Sequence, residues 1–344
     1  MHFFIGCYTN MISPTFGGAG KGIYSAVIDD SGAIKLLHTM PSENPAYVTL
    51  SNDNHFLYAI TETIENAVIK AFKINADYSL TFLNKQTIKG GLPCHIAYCN
   101  ANLIVSCYGS GNVLQFPVND NGQILTSLTH HKHSGSSLNK IRQEAPHAHQ
   151  AVLHSDGKTV YVPDLGIDRV KVYEFNGALL YPKPTLDIIT QPGAGCRHIV
   201  FNSSGLLAYL IHELTGEVTV LEFKSNQWQT IVIYPSLPNS YTGLPSASAI
   251  RLHPNGQFLY VANRGFDGIT IFKIQANMLV LVDCFQTQGQ ELREFNITPN
   301  GQFLIACHQN SNDTITYKID INGLCHPIQQ TQELISPVCI AFLN

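Results

Sequence analysis

Apolar and polar positions alternate along this chain in short runs of period two, broken at regular intervals by tight-turn residues. Five segments share one pattern, a strand end, a turn and a second strand. They are Leu50-Ser-Asn-Asp-Asn-His-Phe-Leu-Tyr58, Leu153-His-Ser-Asp-Gly-Lys-Thr-Val-Tyr161, Phe201-Asn-Ser-Ser-Gly-Leu-Leu-Ala-Tyr209, Leu252-His-Pro-Asn-Gly-Gln-Phe-Leu-Tyr260 and Ile297-Thr-Pro-Asn-Gly-Gln-Phe-Leu-Ile305. Their Asp-Gly, Ser-Gly and Asn-Gly pairs supply the positive φ that a short hairpin needs. A sixth, degraded copy runs from Pro93 to Val105 with a shortened turn. Each hairpin is followed by a third alternating strand, such as Arg169-Val-Lys-Val-Tyr173 or Gly268-Ile-Thr-Ile-Phe272, and then by a weaker fourth, as at Ile88 or Leu279–Val282.

Successive full repeats end 48, 51 and 45 residues apart, at positions 161, 209, 260 and 305. Four strands in such a period predict a propeller blade. The chain ends supply a seventh blade. Ser336–Phe342 reads as an inner strand without a hairpin partner, and His2–Cys7 and Gly22–Val27 read as strands without an inner strand before them. The expectation is all-β: a seven-bladed β-propeller of four antiparallel strands per blade, closed by N- and C-terminal strands in one blade. A single domain, 1–344, follows. No segment has a 3.6-residue apolar period, so helix content should be negligible.

Composition narrows the function classes. Hydrophobic residues are 44% and charged residues 13% of the chain, the opposite of a disordered balance. Twenty Lys and Arg against 24 Asp and Glu leave no strongly basic face for nucleic acid. The longest apolar runs are about six residues, against the ~20 of a spanning helix, and the N-terminus lacks a signal pattern. The reading is a soluble protein without nucleic-acid or membrane partners. Nine cysteines without a C-x-x-C pair read as buried free thiols of a reducing cytoplasm. The run His130-His-Lys-His133 is metal-like only in composition, set in a Ser/Gly-rich loop with no carboxylate nearby in sequence, and carries no metal assignment.

The repeat locates candidate chemistry. In a propeller, the starts of inner strands and the ends of second strands approach the central channel. Counting back twelve from each repeat end gives Ala46, His149, Arg197, Ser248 and Arg293; counting forward four gives Glu62, Leu165, Glu213, Arg264 and Gln309. Counting forward three gives Thr61, Asp164, His212, Asn263 and His308. A chain poor in charge thus concentrates several charges in register around one axis. Each also has a structural reading: Arg197 and Arg293 as inter-blade ion pairs, Glu62 and Glu213 as their anchors, Asp164 as a turn cap, and His147 and His149 as packing histidines.

Pro146-His-Ala-His149, Gly195-Cys-Arg-His198, Ile211-His-Glu-Leu214, Val261-Ala-Asn-Arg-Gly265 and Arg293-Glu-Phe-Asn296, in this blade order, resemble the seven-bladed lactonase family. That family is best known for 6-phosphogluconolactonase and includes a fungal muconate-lactonizing enzyme. The likeness runs from Ile5-Gly-Cys-Tyr-Thr9 to the last strand, with Cys196 where the family has proline. It implies hydrolysis of a sugar lactone, 6-phospho-D-glucono-1,5-lactone first among them. It implies catalytic roles for His147 or His149, Arg197 and Glu213, and places Arg264 in the site. The expected substrate-binding residues are Arg264, Arg293, Glu62 and His198, with Arg264 and Arg293 as the phosphate clamp and Arg197 at the reacting carbonyl. No cofactor, metal or covalent nucleophile is needed for water attack on a lactone, with a His or Glu base and an arginine at the oxyanion. The implied partner is a small anionic substrate; monomer and dimer both remain open. A muconate-type cycloisomerase or a protein-binding propeller fits the same fold.

Overall fold

The computed structural model describes residues 1–343. Seven antiparallel sheets stand around an axis, each of four strands with the first innermost, and that of blade 3 carries a fifth short strand, Ile188–Ile189, beside Arg169–Asn176. Blade 1 comprises Tyr47–Leu50, Phe56–Ile60, Val68–Ile74 and Leu80–Thr87, so Ile88 falls one residue beyond its outer strand. The inner strands of blades 2 to 6 are Pro93–Cys99, Val152–Leu153, Cys196–Phe201, Ala247–Leu252 and Leu292–Ile297. Blade 7 is built from Pro337–Phe342, His2–Cys7, Ile23–Ile28 and Ile34–Met40, so both chain ends share one sheet as the repeat predicts. Two three-residue 3₁₀ turns, Leu165–Ile167 and Pro184–Leu186, are the helical elements among the described residues.

The turn residues do what the repeat requires. Gly256 and Gly301 both adopt φ 73° between first and second strands, and Asn54 takes the same left-handed conformation, φ 59°, where the first repeat lacks glycine. Asparagine is among the few side-chain-bearing residues that enter this region readily. In the degraded copy, Asn100 and Ala101 form the whole turn, with φ 50° and 56°. One correction concerns the histidine run. His130, His131 and Lys132 lie on the outer strand of blade 2, and His133 is buried with Asp164 2.5 Å from its Nδ1 and the Tyr173 hydroxyl 2.6 Å from its Nε2. The carboxylate missing from the local sequence comes from the neighbouring blade.

Alternation places one face of each blade against the next, and seven apolar clusters fill the seven interfaces. The closing blade pairs Phe3 with Phe342, Phe4 with Ala341 and Ile5 with Ile340. Val338, Cys339, Ile340 and Phe342 are all buried. Removing residues 337–344 strips these side chains, worth about 1.5–3 kcal/mol for each large one, and opens a sheet edge in the ring. The truncated chain is therefore expected to aggregate or to melt at least ~10 °C lower. Thermal unfolding of both forms decides this, and equal melting temperatures would contradict closure through this strand.

Candidate active site

The site arises where inner strands begin. In blades 2, 4, 5, 6 and 7 the pairing of inner and second strands slips at that point, between Pro93 and His95, Cys196 and His198, Ala247 and Ile250, Leu292 and Glu294, and opposite Gly6 and Cys7. Such a bulge re-aims the extra side chain. The skipped residues include Cys94, Arg197, Ser248, Arg293 and Val338, which complete with Ala46 and His149 a ring of seven at the channel. A second ring follows the ends of the second strands: Glu62, Tyr108, Leu165, Glu213, Arg264, Gln309 and Tyr8. Between and above the rings lies a cavity of about 260 Å³ lined by Glu62, Cys94, Tyr108, His149, Glu213, Arg264 and Arg293, with Phe16, Leu92, Arg142 and Ser246 from connecting segments.

Glu213 is its electrostatic hub. Oε1 accepts from Arg142 Nη2 at 2.5 Å, while Oε2 accepts from Arg197 Nε at 3.0 Å and faces Arg264 Nη2 at 2.9 Å. The side chain is buried. Burial alone would raise its pKa, but Arg264, then Arg197 and Arg142, hold it well below the usual carboxylate range. Both oxygens are committed to guanidinium groups, a geometry suited to an anchor and unsuited to proton uptake. Arg197 is pinned further by the Ser248 carbonyl, which accepts from Nη1. Burial, with Arg264 next, lowers its pKa to about 10, so it stays charged at neutral pH. It lies beneath the main cavity, in a narrow space shared with Tyr47, His198 and Glu294.

Across the cavity the second carboxylate has different company. Glu62 Oε2 accepts from the Tyr8 hydroxyl at 2.7 Å. The loop holding Glu62 is fixed by Asn44, whose carbonyl accepts from Glu62 N at 3.0 Å and whose Nδ2 donates to the Glu62 carbonyl at 3.3 Å. Asn44 Oδ1 also accepts from Thr9 N, at 2.8 Å, and so ties the Tyr8 segment to the same point. Arg293 places its guanidinium carbon 5.4 Å from the Tyr8 ring centre and 5.0 Å from that of Phe16. Among the described residues it forms no carboxylate pair within 4.0 Å, whereas Arg142, Arg197 and Arg264 all reach Glu213.

The histidines divide. His149 lines the cavity, with Cys94 Sγ 3.8 Å from Nδ1 and Glu213 Oε2 3.9 Å from Nε2. Burial, reinforced by Arg197, keeps its pKa well below 6.5, so the ring is neutral at physiological pH. His147 is outside the lining: its ring stacks on Tyr108 at 4.3 Å, and its Nδ1 is 2.8 Å from the Tyr108 carbonyl oxygen. His198 lies below with Arg197 and is also neutral, first because it is buried and then because of Arg197. The column three residues past the repeat ends is structural. Asp164 caps Gly166 N and His147 N, Asn263 Nδ2 donates to the Ser236 carbonyl, and His308 contacts Asp313 and Thr287.

Residues 2–342 match the family described as lactonase, 7-bladed beta-propeller. The chain belongs to that family. It is 30% identical to a 6-phosphogluconolactonase of Bacillus subtilis over 99% of this chain and 98% of the relative. A Bacteroides fragilis structure provisionally named 6-phosphogluconolactonase superposes with a TM-score of 0.93 at 29% identity, covering 100% of this chain and 98% of the other. The periplasmic gluconolactonase of Pseudomonas aeruginosa gives 0.92 at 26% identity, over 100% and 99%. No helix among the described residues is long and apolar enough to cross a membrane.

In this lactonase the sequence reasoning missed Tyr8, Cys94, Tyr108 and Arg142. The first three had a signal. Extending the two columns into the degraded second blade and the split seventh blade lands on them. Arg142 had none, because it sits on a long connection between blades 2 and 3 that has no counterpart in the repeat.

Proposed function

We propose that the protein hydrolyses a phosphorylated sugar lactone, 6-phospho-D-glucono-1,5-lactone, to 6-phosphogluconate. The observation that carries this is the charge of the cavity. Arg142, Arg197, Arg264 and Arg293 face Glu62, Glu213 and Glu291, the last 3.5 Å from Arg264, while Glu294 in the deeper space is neutralised by Arg251 at 2.8 Å, which leaves one positive charge in excess. An anionic ligand balances that excess. Kinship with a 6-phosphogluconolactonase across almost its whole length supports the same substrate. Nine free cysteines, seven of them buried, suit the reducing cytoplasm in which this pentose phosphate step would run.

In the proposed reaction water attacks the lactone carbonyl, a His or Glu takes its proton, and an arginine meets the developing oxyanion. Arg293 suits the oxyanion, because its donors are uncommitted and the flanking rings fix its plane. Arg142 and Arg264 suit the phosphate. Each spends part of its fork on Glu213, while Arg142 Nη1 and Arg264 Nε keep no protein partner among the described residues. Arg142 is also 39% exposed, at the mouth where a distal phosphate would enter.

A charge-assisted contact of this kind contributes about 1.5–3 kcal/mol. Arg142→Ala is therefore expected to raise KM for the phosphorylated lactone by about 10–100-fold. It should leave unphosphorylated glucono-1,5-lactone nearly unchanged, and Arg264→Ala should show the same preference. Steady-state kinetics on both substrates, corrected for spontaneous ring opening, measure this. Equal losses on the two lactones would remove the phosphate-clamp assignment.

A further inference from the structure

The two carboxylates of the cavity are held in opposite ways. Glu213 has no oxygen to spare, since three guanidinium groups occupy both. Glu62 has one oxygen on Tyr8, and its Oε1 has no hydrogen-bond partner among the described residues although the residue lines the cavity. Two carboxylates in one site, one locked as an anion and one left with an open oxygen, are the pattern of divided acid–base labour. We propose that Glu62, rather than Glu213 or a histidine, is the general base that activates water for lactone opening. This deepens the function proposed above and rests on it.

Bonds and protons balance without another reactant. Glu62 Oε1 takes a proton from water as the water oxygen bonds to the lactone carbonyl carbon, and the carbonyl electron pair moves onto its oxygen, facing Arg293. Re-formation of the carbonyl breaks the bond to the ring oxygen. That oxygen takes the proton back from the Glu62 carboxyl group and becomes the hydroxyl of the product. The new carboxylic acid then loses its own proton to solvent, and Glu62 is again ionised.

The surroundings tune this group for such work. Burial raises the Glu62 pKa above the ordinary carboxylate value, opposed first by Arg293, then by the Tyr8 hydrogen bond and by Arg197. Cys94 also faces it from blade 2, its thiol pushed well up by burial and therefore uncharged. His149, from blade 3, is neutral. Glu294, near the same deep space, is paired with Arg251 at 2.8 Å. Of the two carboxylates that line the main cavity, Glu62 is held above the ordinary carboxylate value and Glu213 below it.

The test is a pH–rate profile of wild type, Glu62→Gln and Tyr8→Phe on fresh 6-phosphogluconolactone and glucono-1,5-lactone. Loss of a general base typically costs about 10²–10⁴ in rate. Glu62→Gln should lose at least ~100-fold in kcat on whichever lactone the wild type opens. Its KM and melting temperature should change little, and the acidic limb of the profile should disappear. Tyr8→Phe removes a hydrogen bond that favours ionised Glu62, so its acidic limb should move to higher pH. This shift keeps the test decisive even if Glu62→Gln fails to fold. A Glu62→Gln enzyme with near-normal kcat, or an acidic limb unmoved in Tyr8→Phe, overturns the assignment while leaving lactone hydrolysis intact. A wild type that opens neither lactone overturns both.

Discussion

Replacing Glu213 by alanine should lower the melting temperature by on the order of 10 °C and abolish turnover together. The carboxylate is buried and holds Arg142, Arg197 and Arg264, so its removal leaves three guanidinium charges crowded without their counter-ion. Breaking a buried pair by deleting one partner typically costs about 3–5 kcal/mol, because the remaining charge stays desolvated. Two of these arginines are themselves almost wholly buried and cannot turn outward to water. Because Glu213 lies well below its unfolded-state pKa, its stabilisation is present above the ordinary carboxylate range and is lost only as pH falls through the depressed value. Thermal unfolding at pH 7 and a rate measurement on the same sample read both effects. A Glu213→Ala protein that melts like wild type would show that the arginines need no hub.

The second large effect is acid lability, and it comes from histidines rather than carboxylates. His95, His149, His198 and His212 are all buried. Burial lowers His95 to about 3 and His212 to about 4, and holds His149 and His198 well below 6.5. For each, the unfolded chain takes up a proton near pH 6.5 and the folded chain does not. Stability is therefore full above that pH and declines below it, down to the depressed folded values. Each such group costs about 1.4 kcal/mol per pH unit once well below pH 6.5, so four of them cost several kcal/mol by pH 5. Denaturant midpoints should be flat from pH 7 to 8 and fall steeply from pH 6.5 to 5. His212→Gln, which keeps a partner for Thr219 Oγ1, should flatten that slope by about one proton. A midpoint unchanged at pH 5 would show that these rings are not neutral in the folded protein.

How much of this was legible in the sequence depends on which blade is asked. The Asn-Gly and Asp-Gly turns mark blades 3, 5 and 6 plainly, and the closing blade followed from an unpaired strand at each end. The channel columns were legible wherever the turn aligned, which brought out His149, Arg197, Arg293, Glu62, Glu213 and Arg264. In blades 2 and 7 the alignment failed, one through a shortened turn and the other through the chain ends, and there Cys94, Tyr108 and Tyr8 went unseen. The third column stands apart for a geometric reason, and the turn-cap reading of Asp164 holds. One residue earlier on a strand points to the opposite face, so Asp164, His212, Asn263 and His308 bond within and between blades instead of lining the cavity. Period two locates a ring; it does not say which carboxylate within it is free. That difference between Glu62 and Glu213 is set by Arg142, on a connection outside the repeat, and by Tyr8, which follows the second strand of the adjoining blade 7.

The central claim is that this cationic cavity opens the lactone of a phosphorylated sugar, and turnover of the purified protein tests it most directly. Fresh 6-phosphogluconolactone and glucono-1,5-lactone should be followed side by side against spontaneous hydrolysis. The account predicts clear catalysis with kcat/KM at least ~10-fold higher for the phosphorylated substrate, the size of one charge-assisted phosphate contact. No acceleration over the spontaneous rate with either lactone, from protein that is folded by its thermal transition, would contradict it.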